Sequence, residues 1–388
     1  MSAPFPPPSG SSVDARLAGG ELVINLEALQ SNYRRLAEAA PTAATAAVVK
    51  ADAYGLGVDV VVPALLSAGC DTFFVAMLHE ALAVRALAPE ARIFVLNGLF
   101  GNDTAQTFVE AQLIPVLNTA RDVAVWEAHG RAGGEPLPCA LHVDTGMNRL
   151  GMNLEQAVAL ARENALTRAL NIVLVMSHLA CADLPEHPHN AHQAKCFALL
   201  RDAFPGVEAS LANTSGILLG QAYHLSLTRP GIGLYGGVVL PGLVLEPVVT
   251  LTARILQLRD AAAGEAVSYG AATRLRRYSR LAVVAIGYAD GFPRASSGSG
   301  VPLRELQPIG GYGFLHGHAV PILGRVTMDL TIFDVTDLAA DLVRENDMIE
   351  LIGPNIRLGD LAEASGTIGY EILTRLGRRF HRRVLGAV

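Results

Sequence analysis

Residues 47–57 have the sequence AVVKADAYGLG. An apolar run ends in Lys50, and Tyr54 and two glycines follow before the next apolar segment begins. This order indicates a buried strand that leads into a loop where the backbone can approach a ligand. Because burial disfavours the ammonium form, Lys50 could be a free amine or condense with a carbonyl as a Schiff base. A lysine that merely extends its charged end out of the strand is the alternative.

On both sides of this stretch, short β-branched runs alternate with segments whose apolar residues recur at three- and four-residue spacing. The runs begin with ELVINL at residues 21–26 and end near SLTRPGIG at residues 226–233. Strands that alternate with single helices predict parallel pairing through right-handed crossovers. About eight such units in roughly 230 residues favour a closed (β/α)8 barrel over an open sheet.

The pattern changes after about Leu245. Short alternating runs separated by Gly, Pro and Asp predict a mainly β domain, with short helices at LGDLAEASG and YEILTRLGRRF. We therefore expect an α/β fold with a flexible leader at residues 1–20, a TIM-like barrel at 21–248 and a mainly β C-terminal domain at 249–388. The leader is rich in Pro, Ser and Gly, and it lacks the basic start and apolar centre of a secretion signal.

Composition limits the possible partners. The 388 residues carry a net charge of −6, and no basic block occurs before the last dozen residues, which argues against a nucleic-acid or anionic-membrane partner. No apolar stretch is long enough to span a bilayer. Four cysteines without a C-x-x-C pair indicate reduced thiols in a cytoplasmic protein, with neither a disulfide framework nor a zinc site.

Polar residues close many of the barrel runs. In such a barrel the functional site forms at the C-terminal ends of the strands. Taken alone, each residue has a simpler explanation as a core histidine, a helix cap or a surface ion pair, but their shared position predicts one site. The residues are Lys50 and Tyr54, Asp144–Arg149, Ser177 and His178, Asn213–Ser215, and Arg229 with Gly231.

Three further motifs have less specific interpretations. GIGLYG, residues 231–236, matches G-x-G-x-x-G, but the segment after it contains Pro and Gly, so we reject a dinucleotide site. Its backbone N–H groups and the Thr214 hydroxyl could instead hold one phosphate. The histidines of HPHNAH (187–192) and HGH (316–318) lie outside the strand ends, so we expect no metal site. A Schiff-base lysine, a phosphate cradle and arginines together suggest pyridoxal phosphate.

Nine motifs, in order, resemble the alanine racemase family over everything from about Glu21 onward. They are AVVKADAYGLG, VDTGMNRLGM, SHLACAD, ANTSG, TRPGIGLYG, VSYGA, IGYADGFPR, GRVTMDL and TIGYEILTRLGRR. The resemblance implies a pyridoxal 5'-phosphate enzyme that interconverts L- and D-alanine, acts as a homodimer with shared sites and supplies D-alanine for the bacterial wall. The alternatives are a broader amino-acid racemase, a decarboxylase of similar architecture and a non-catalytic pyridoxal-phosphate carrier.

The resemblance also implies two bases. Lys50 would carry the cofactor and act on one face, and Tyr269 of the partner subunit would act on the other. Inversion at Cα needs such a pair, because the proton leaves one face and returns to the opposite one. A phenol is a weak base at neutral pH, so His178 and Arg229 would assist Tyr269. Arg229 would also contact the pyridine nitrogen and, since a guanidinium cannot accept a proton, would limit transamination.

The remaining roles come from the same resemblance. Arg149 would lie near the substrate carboxylate, with the Met328 backbone N–H and Tyr288 completing the substrate site. For Tyr288, Met328 and Tyr370, packing within the β domain is the alternative. The cofactor contacts would be Tyr54, His178, Asn213, Thr214, Arg229, Gly231, Ile232 and Tyr370.

Four positions depart from the family pattern. His142 occurs where many members have a lysine that becomes carbamylated and braces the arginine. We expect His142 to supply no fixed negative charge, so that the brace is either absent or replaced by a bound anion or by Asn148. Thr327, Thr214 and Leu56 stand where cysteine, serine and histidine are common. None of these changes removes a catalytic group.

Overall fold

The computed structural model describes residues 13–162, 170–237 and 242–386. Most of the expected leader (1–12) and part of the segment after GIGLYG (238–241) lie outside the described residues. The chain divides into two compact units. We call residues 30–162, 170–234 and 242–245 the barrel unit, and residues 13–29, 235–237 and 246–386 the β unit.

The barrel unit contains a curled sheet of seven parallel strands. In spatial order the strands are Glu208–Ser210, Leu170–Met176, Leu137–Asp144, Ile114–Leu117, Arg92–Val95, Thr72–Val75 and Ala47–Val48. Met152–Asn153 pairs with the end of Leu137–Asp144, and Leu227–Thr228 pairs in parallel with Ala44–Thr45.

The segment around Thr228 bridges the two edges of this sheet. Ala46 N donates to Thr228 O, and Arg229 N donates to Ala212 O, both at 2.9 Å. Inside the ring, the fully buried rings of Phe74 and Phe94 stack at 4.7 Å between centroids. The expected N-terminal barrel is therefore confirmed, with its polar strand ends on one side.

Helices connect successive barrel strands. Ala120–Gly133 is representative: Thr119 Oγ1 accepts from Asp122 N at 3.1 Å, and Gly134 ends the helix with φ of 79°. The helices up to residue 245 are Leu26–Glu38, Val58–Ser67, Leu78–Leu87, Asn102–Glu110, Ala120–Gly133, Leu154–Arg162, Pro188–Ala203 and Gln221–His224, with 3-10 turns at Ser215–Leu219 and Ile232–Tyr235.

The β unit is built on an eight-stranded mixed sheet. Its strands are Gly20–Asn25, Val249–Ala261, Ser279–Val284, Tyr312–Leu315, His318–Leu323, Thr331–Asp334, Met348–Ile352 and His381–Leu385, and Ala266–Val267 pairs separately with Thr273–Arg274. Helices occur at Leu303–Leu306, Leu358–Ala364 and Gly369–Arg375, with 3-10 turns at Tyr269–Ala271, Tyr288–Asp290 and Arg294–Ser296. The expected mainly β region and its two late helices are confirmed.

One strand was assigned to the wrong sheet. The run ELVINL was expected to open the barrel, but Gly20–Asn25 pairs antiparallel with Val249–Ala261 and parallel with His381–Leu385. Leu22 and Ile24 are fully buried in that sheet. Local periodicity identifies a strand but does not identify partners more than two hundred residues away.

No helix in the described part of the chain combines the length and apolar character that a membrane span requires.

Candidate active site

Lys50 begins a turn with an unusual backbone. Ala51, Asp52, Ala53 and Tyr54 all have φ between 52° and 58°, in the left-handed region. That conformation costs roughly 1–2 kcal/mol per residue for non-glycine residues, so the surroundings must hold it. Ala51 N donates to Glu80 Oε1 at 2.7 Å, and Val58 N donates to Asp52 Oδ1 at 2.9 Å.

The Lys50 amine lies in an environment that disfavours its charge. Burial and the nearby Arg149 guanidinium lower the pKa of Lys50, and Glu80 opposes them. The neutral amine, which is the nucleophilic and basic form, is therefore favoured more than in a solvent-exposed lysine.

Hydroxyl and backbone N–H groups converge near Gly231. Thr214 Oγ1 accepts from the N–H groups of Gly231 and Gly233, at 3.0 and 3.3 Å, so its own proton is available to a ligand. The Tyr54 hydroxyl occupies the place where a Cβ at Gly231 would lie. We call the Thr214 hydroxyl and the start of the Ile232–Tyr235 turn the candidate anion cradle, because a hydroxyl proton beside a backbone turn suits an anion.

Arg229 is buried within the barrel. Its Nη2 donates to Ser177 O at 2.6 Å, its Nη1 donates to Ser210 Oγ, and its guanidinium lies 5.9 Å from the Phe74 ring centroid. Burial lowers the pKa of Arg229 to about 9, which leaves it charged at neutral pH. Arg229 is thus a fixed internal cation, and the surface ion-pair alternative does not apply.

Asn213 pairs with Arg229 through a parallel backbone bridge. Its Oδ1 accepts from Gly216 N at 2.9 Å, which caps the following 3-10 turn. The cap explanation considered for this residue therefore accounts for its side-chain oxygen.

Two histidines lie among these cations. Burial, and then the charges of Arg229 and Arg149, hold the pKa of His178 well below its usual range. The same causes lower the pKa of His142 to about 4, against the opposing effect of Asp144. Both imidazoles are therefore neutral at pH 7, and His142 supplies no negative charge.

The tautomer of His142 follows from its neighbour. Asn118 Nδ2 donates to Leu96 O and Val116 O, at 3.0 and 2.9 Å, so Asn118 Oδ1 is the acceptor that faces His142 Nδ1 at 2.8 Å. The proton consequently lies on Nδ1, and Nε2 carries a lone pair.

Arg149 lies in a loop built by Asp144. Asp144 Oδ1 accepts from Gly146 N and Met147 N, both at 2.8 Å, and Asn148 has φ of 54°. The Arg149 side chain forms no ion pair with any residue that the structure describes. Its charge acts instead on Lys50, His142 and His178.

The predicted residues of the β unit are exposed. Side-chain exposure excludes simple core packing for Tyr269 (73%), Met328 (54%), Tyr288 (44%) and Tyr370 (41%). Tyr288 N donates to Thr327 O, and Ala289 N donates to Met328 O, both at 3.0 Å, so these two loops are joined. Tyr269 begins a 3-10 turn after Ser268, whose Oγ donates to Arg325 O at 3.0 Å.

Sequence reasoning missed two residues that organise the site. Glu80 accepts from the N–H groups of Ala51, Ala76 and Met77, at 2.7 to 3.0 Å. Its position just after a strand end could have identified it. The second residue is Gln193, whose Nε2 donates to His178 O and to Thr145 Oγ1. It lies within the helix Pro188–Ala203, so no strand end marks it in the sequence.

The histidine-rich segment has a different environment from that of a metal site. His189 Nε2 lies 2.8 Å from Gly146 O, and its ring stacks on His192. Across the described residues, no group of three or more His, Cys, Asp or Glu side chains is arranged to hold a metal ion.

Comparison with known proteins identifies the family. Residues 24–239 match the family model of the alanine racemase N-terminal domain, and residues 248–384 match that of the alanine racemase C-terminal domain. The chain belongs to the alanine racemase family. The family expected from the nine sequence motifs is thereby confirmed.

Individual relatives within this family cover nearly the whole chain. The chain is 51% identical to the alanine racemase of Rhizobium meliloti (95% of this chain, 97% of the relative). Two proteins of Agrobacterium fabrum, the biosynthetic and the catabolic alanine racemase, are 49% identical (94% of each chain) and 45% identical (94% of this chain, 92% of the relative). Among solved structures, the alanine racemase of Bartonella henselae with covalently bound pyridoxal phosphate aligns with a TM-score of 0.87 and 36% identity, over 95% of this chain and 100% of its own.

Proposed function

We propose that this protein is an alanine racemase, which interconverts L- and D-alanine with pyridoxal 5'-phosphate attached to Lys50. The observation that carries the proposal is a lysine of lowered pKa on a strained turn, beside an anion cradle and a buried arginine. The relatives named alanine racemase supply the substrate class.

The residues present fit the cofactor. Lys50 offers an amine for its aldehyde, and the Thr214 hydroxyl, whose oxygen already accepts from two backbone N–H groups, offers a proton for its phosphate. Gly231 keeps that cradle open, because a side chain there would collide with Tyr54. Tyr54, Ile232 and Tyr370 would add contacts to the phosphate, and His178 and Asn213 would line the cofactor site. Bound pyridoxal phosphate acidifies the Cα–H bond of an attached amino acid by withdrawing electron density.

The chain's own groups then move the proton. The neutral Lys50 amine accepts the proton on one face of Cα, and the ammonium group so formed returns it to that face in the reverse reaction. The Tyr269 hydroxyl, which belongs to the partner subunit in this proposal, acts on the other face. The exposure of Tyr269 supports a role outside its own unit. His178 and Arg229 provide hydrogen bonding and positive charge for that phenol.

Arg229 sets the electronic environment of the cofactor ring. Because a guanidinium can only donate hydrogen bonds, a ring nitrogen in contact with Arg229 would have to be the acceptor and would stay unprotonated. Proton return to Cα is then favoured over transamination. Its bonds to Ser177 and Ser210 keep the guanidinium plane in one orientation.

We assign the alanine carboxylate to Arg149 and to the Met328 N–H, with Tyr288 beside it. We further propose a cytoplasmic homodimer that supplies D-alanine for peptidoglycan, with no nucleic-acid or membrane partner. The biosynthetic relative supports that role, and the catabolic relative makes alanine degradation the competing one.

A spectrum and a rate assay test the activity. We expect the purified protein to show visible cofactor absorbance that borohydride fixes onto Lys50, and to racemise L-alanine in a circular-dichroism assay. A colourless protein after addition of pyridoxal phosphate would contradict the proposal. A coloured protein that does not racemise alanine would favour the carrier alternative, and turnover of many amino acids would favour the broader racemase.

Replacing Tyr269 by Phe separates racemisation from decarboxylation. Because the equilibrium constant of racemisation is one, kcat/KM should fall equally in both directions, by about a hundredfold or more. In D2O the variant should still exchange the Cα proton of one enantiomer through Lys50, without inversion. Unchanged racemisation would contradict the two-base assignment, and a decarboxylase would retain its activity.

A further inference from the structure

A buried glutamine joins two strand-end loops of the barrel. Gln193, on the helix Pro188–Ala203, is fully buried. Its Nε2 donates to His178 O at 2.9 Å and to Thr145 Oγ1 at 3.2 Å, and its Oε1 accepts from Ala180 N at 2.8 Å. One side chain thus connects the loop that precedes Arg149 to the segment that contains His178.

The same helix face reaches the next peptide of the Arg149 loop. His189 lies one turn before Gln193, and its Nε2–H donates to Gly146 O at 2.8 Å. On the other side of that residue, Gly146 N donates to Asp144 Oδ1 at 2.8 Å. Gly146 has φ of 133°, and a Cβ there would lie 2.9 Å from His189 Cε1, so the ring fits only against glycine.

These bonds continue to the buried arginine. The Thr145 and Ser177 hydroxyls lie 2.7 Å apart, and Ser177 O accepts from Arg229 Nη2 at 2.6 Å. The network therefore runs from helix Pro188–Ala203 through the Arg149 loop to Arg229. Thr145, Ser177, Gln193 and Arg229 are all buried, which suits a network that holds geometry.

We propose that His189 and Gln193 are positioning residues that hold the 144–149 loop against the His178 segment and so place the Arg149 guanidinium for the substrate carboxylate. Neither residue contacts the reacting atoms. This inference rests on the proposed function, specifically on the assignment of the carboxylate to Arg149.

His189 offers the cleaner test because it is only partly buried. His189→Ala removes the bond to Gly146, whereas His189→Gln can place an amide N–H near the former Nε2. Lys195→Ala, an exposed site on the same helix, is the matched control. Gln193→Glu keeps the acceptor but removes the donors at nearly constant size.

Two readouts separate positioning from general damage. We expect His189→Ala to raise KM for L-alanine about three- to tenfold, the effect of one lost hydrogen bond, with kcat within about twofold. The calorimetric Kd of the holoenzyme for propionate, a carboxylate without the amine, should rise by the same factor. His189→Gln and Lys195→Ala should resemble the wild type, and Gln193→Glu should resemble His189→Ala.

A double-mutant cycle decides whether the effect passes through Arg149. In an Arg149→Lys background, His189→Ala should have no further effect on the propionate Kd. An equal effect in both backgrounds, no effect in the wild type, or a failure of His189→Gln to restore binding would overturn the inference. If Arg149→Lys itself leaves the propionate Kd unchanged, the assignment of the carboxylate to Arg149 fails instead.

Discussion

At Gly231, the absence of a side chain leaves room for the Tyr54 hydroxyl beside the proposed phosphate site. A Cβ there would overlap the Tyr54 hydroxyl. We predict that Gly231→Ala displaces Tyr54 and weakens pyridoxal phosphate binding by about tenfold or more, since overpacking a tight site typically costs 1–3 kcal/mol. Absorbance titration of the apoprotein with the cofactor measures this loss.

Gly133→Ala serves as the control for that substitution. Gly133 is at a helix end, and a Cβ there would meet nothing within 4 Å. Its cofactor affinity should match the wild type. Equal affinities for the Gly231→Ala variant and the wild type would mean that the cradle does not hold the phosphate.

His142 makes stability depend on pH. Its folded pKa of about 4 is below the unfolded value of 6.5, so between these values the unfolded chain binds more protons. The free energy of unfolding should therefore fall as pH falls through this window, by about 2–3 kcal/mol from this group at pH ~4.5. Urea unfolding at pH ~4.5 and at pH ~7.5 measures this difference, and His142→Gln should remove the contribution of His142 to it. A pH dependence of stability equal to that of the wild type would contradict the assignment.

A neutral imidazole at position 142 also predicts that racemase activity does not depend on bicarbonate. His142 cannot form the carbamate that a lysine forms with carbon dioxide. Racemase activity should therefore be the same in bicarbonate-depleted and bicarbonate-supplemented buffer. A bicarbonate-dependent rate that persists in His142→Ala would indicate that a lysine elsewhere is modified.

Single residues differ in how far the sequence reveals them. Lys50, Arg229 and Thr214 follow strand ends, and the strand-end rule was sufficient to select them. Gln193 lies in mid-helix, and its role depends on three bonds to loops 13 to 48 positions away. No local pattern encodes such contacts.

Among elements, the loops of Tyr288 and Met328 are joined by a short charge network. Arg379 contacts the buried Asp290 at 3.2 Å and Asp329 at 2.8 Å. Arg379→Ala should leave Asp290 without its cation, lower the free energy of unfolding by about 1 kcal/mol and raise KM for alanine. Thermal unfolding and steady-state kinetics measure the two effects.

Arg383→Ala is the corresponding control, because Arg383 pairs with Glu21 in an exposed position. Such pairs contribute about 0–1 kcal/mol, so stability should change little and KM should stay constant. Equal changes in KM for the Arg379 and Arg383 variants would argue against a specific role for the network.

The elements themselves were largely predictable, except in their pairing. Alternating apolar runs located most of the strands in both units. The run ELVINL has the same local pattern as a barrel strand, yet it joins strands near residues 250 and 383. Its pairing partners are strand edges that become available only when the distant segments have been brought together.

At the scale of the whole molecule, the proposed shared sites predict complementation between inactive variants. Lys50→Ala and Tyr269→Phe each disable every site of their own homodimer. In a mixed dimer, one site receives both defects and the other receives none. Random pairing should therefore restore about a quarter of wild-type activity in the unfractionated mixture, and about half in mixed dimers purified through two affinity tags after co-expression.

The two variants expressed separately and combined without subunit exchange provide the baseline. Activity that stays at this baseline in purified mixed dimers would show that each subunit uses its own Tyr269, or that Tyr269 is not needed.

The pairing of Glu21 with His381 has a consequence for synthesis on the ribosome. The backbone ladder of the barrel lies entirely between residues 44 and 230, so it can be completed while later codons are still being translated. The strand that emerges first can pair on one edge with Val249–Ala261, but its other edge must wait for His381–Leu385, one of the last segments to be made. A nascent chain stalled before residue 381 would thus carry an assembled barrel and a solvent-exposed strand edge, which is the kind of surface through which incomplete chains aggregate.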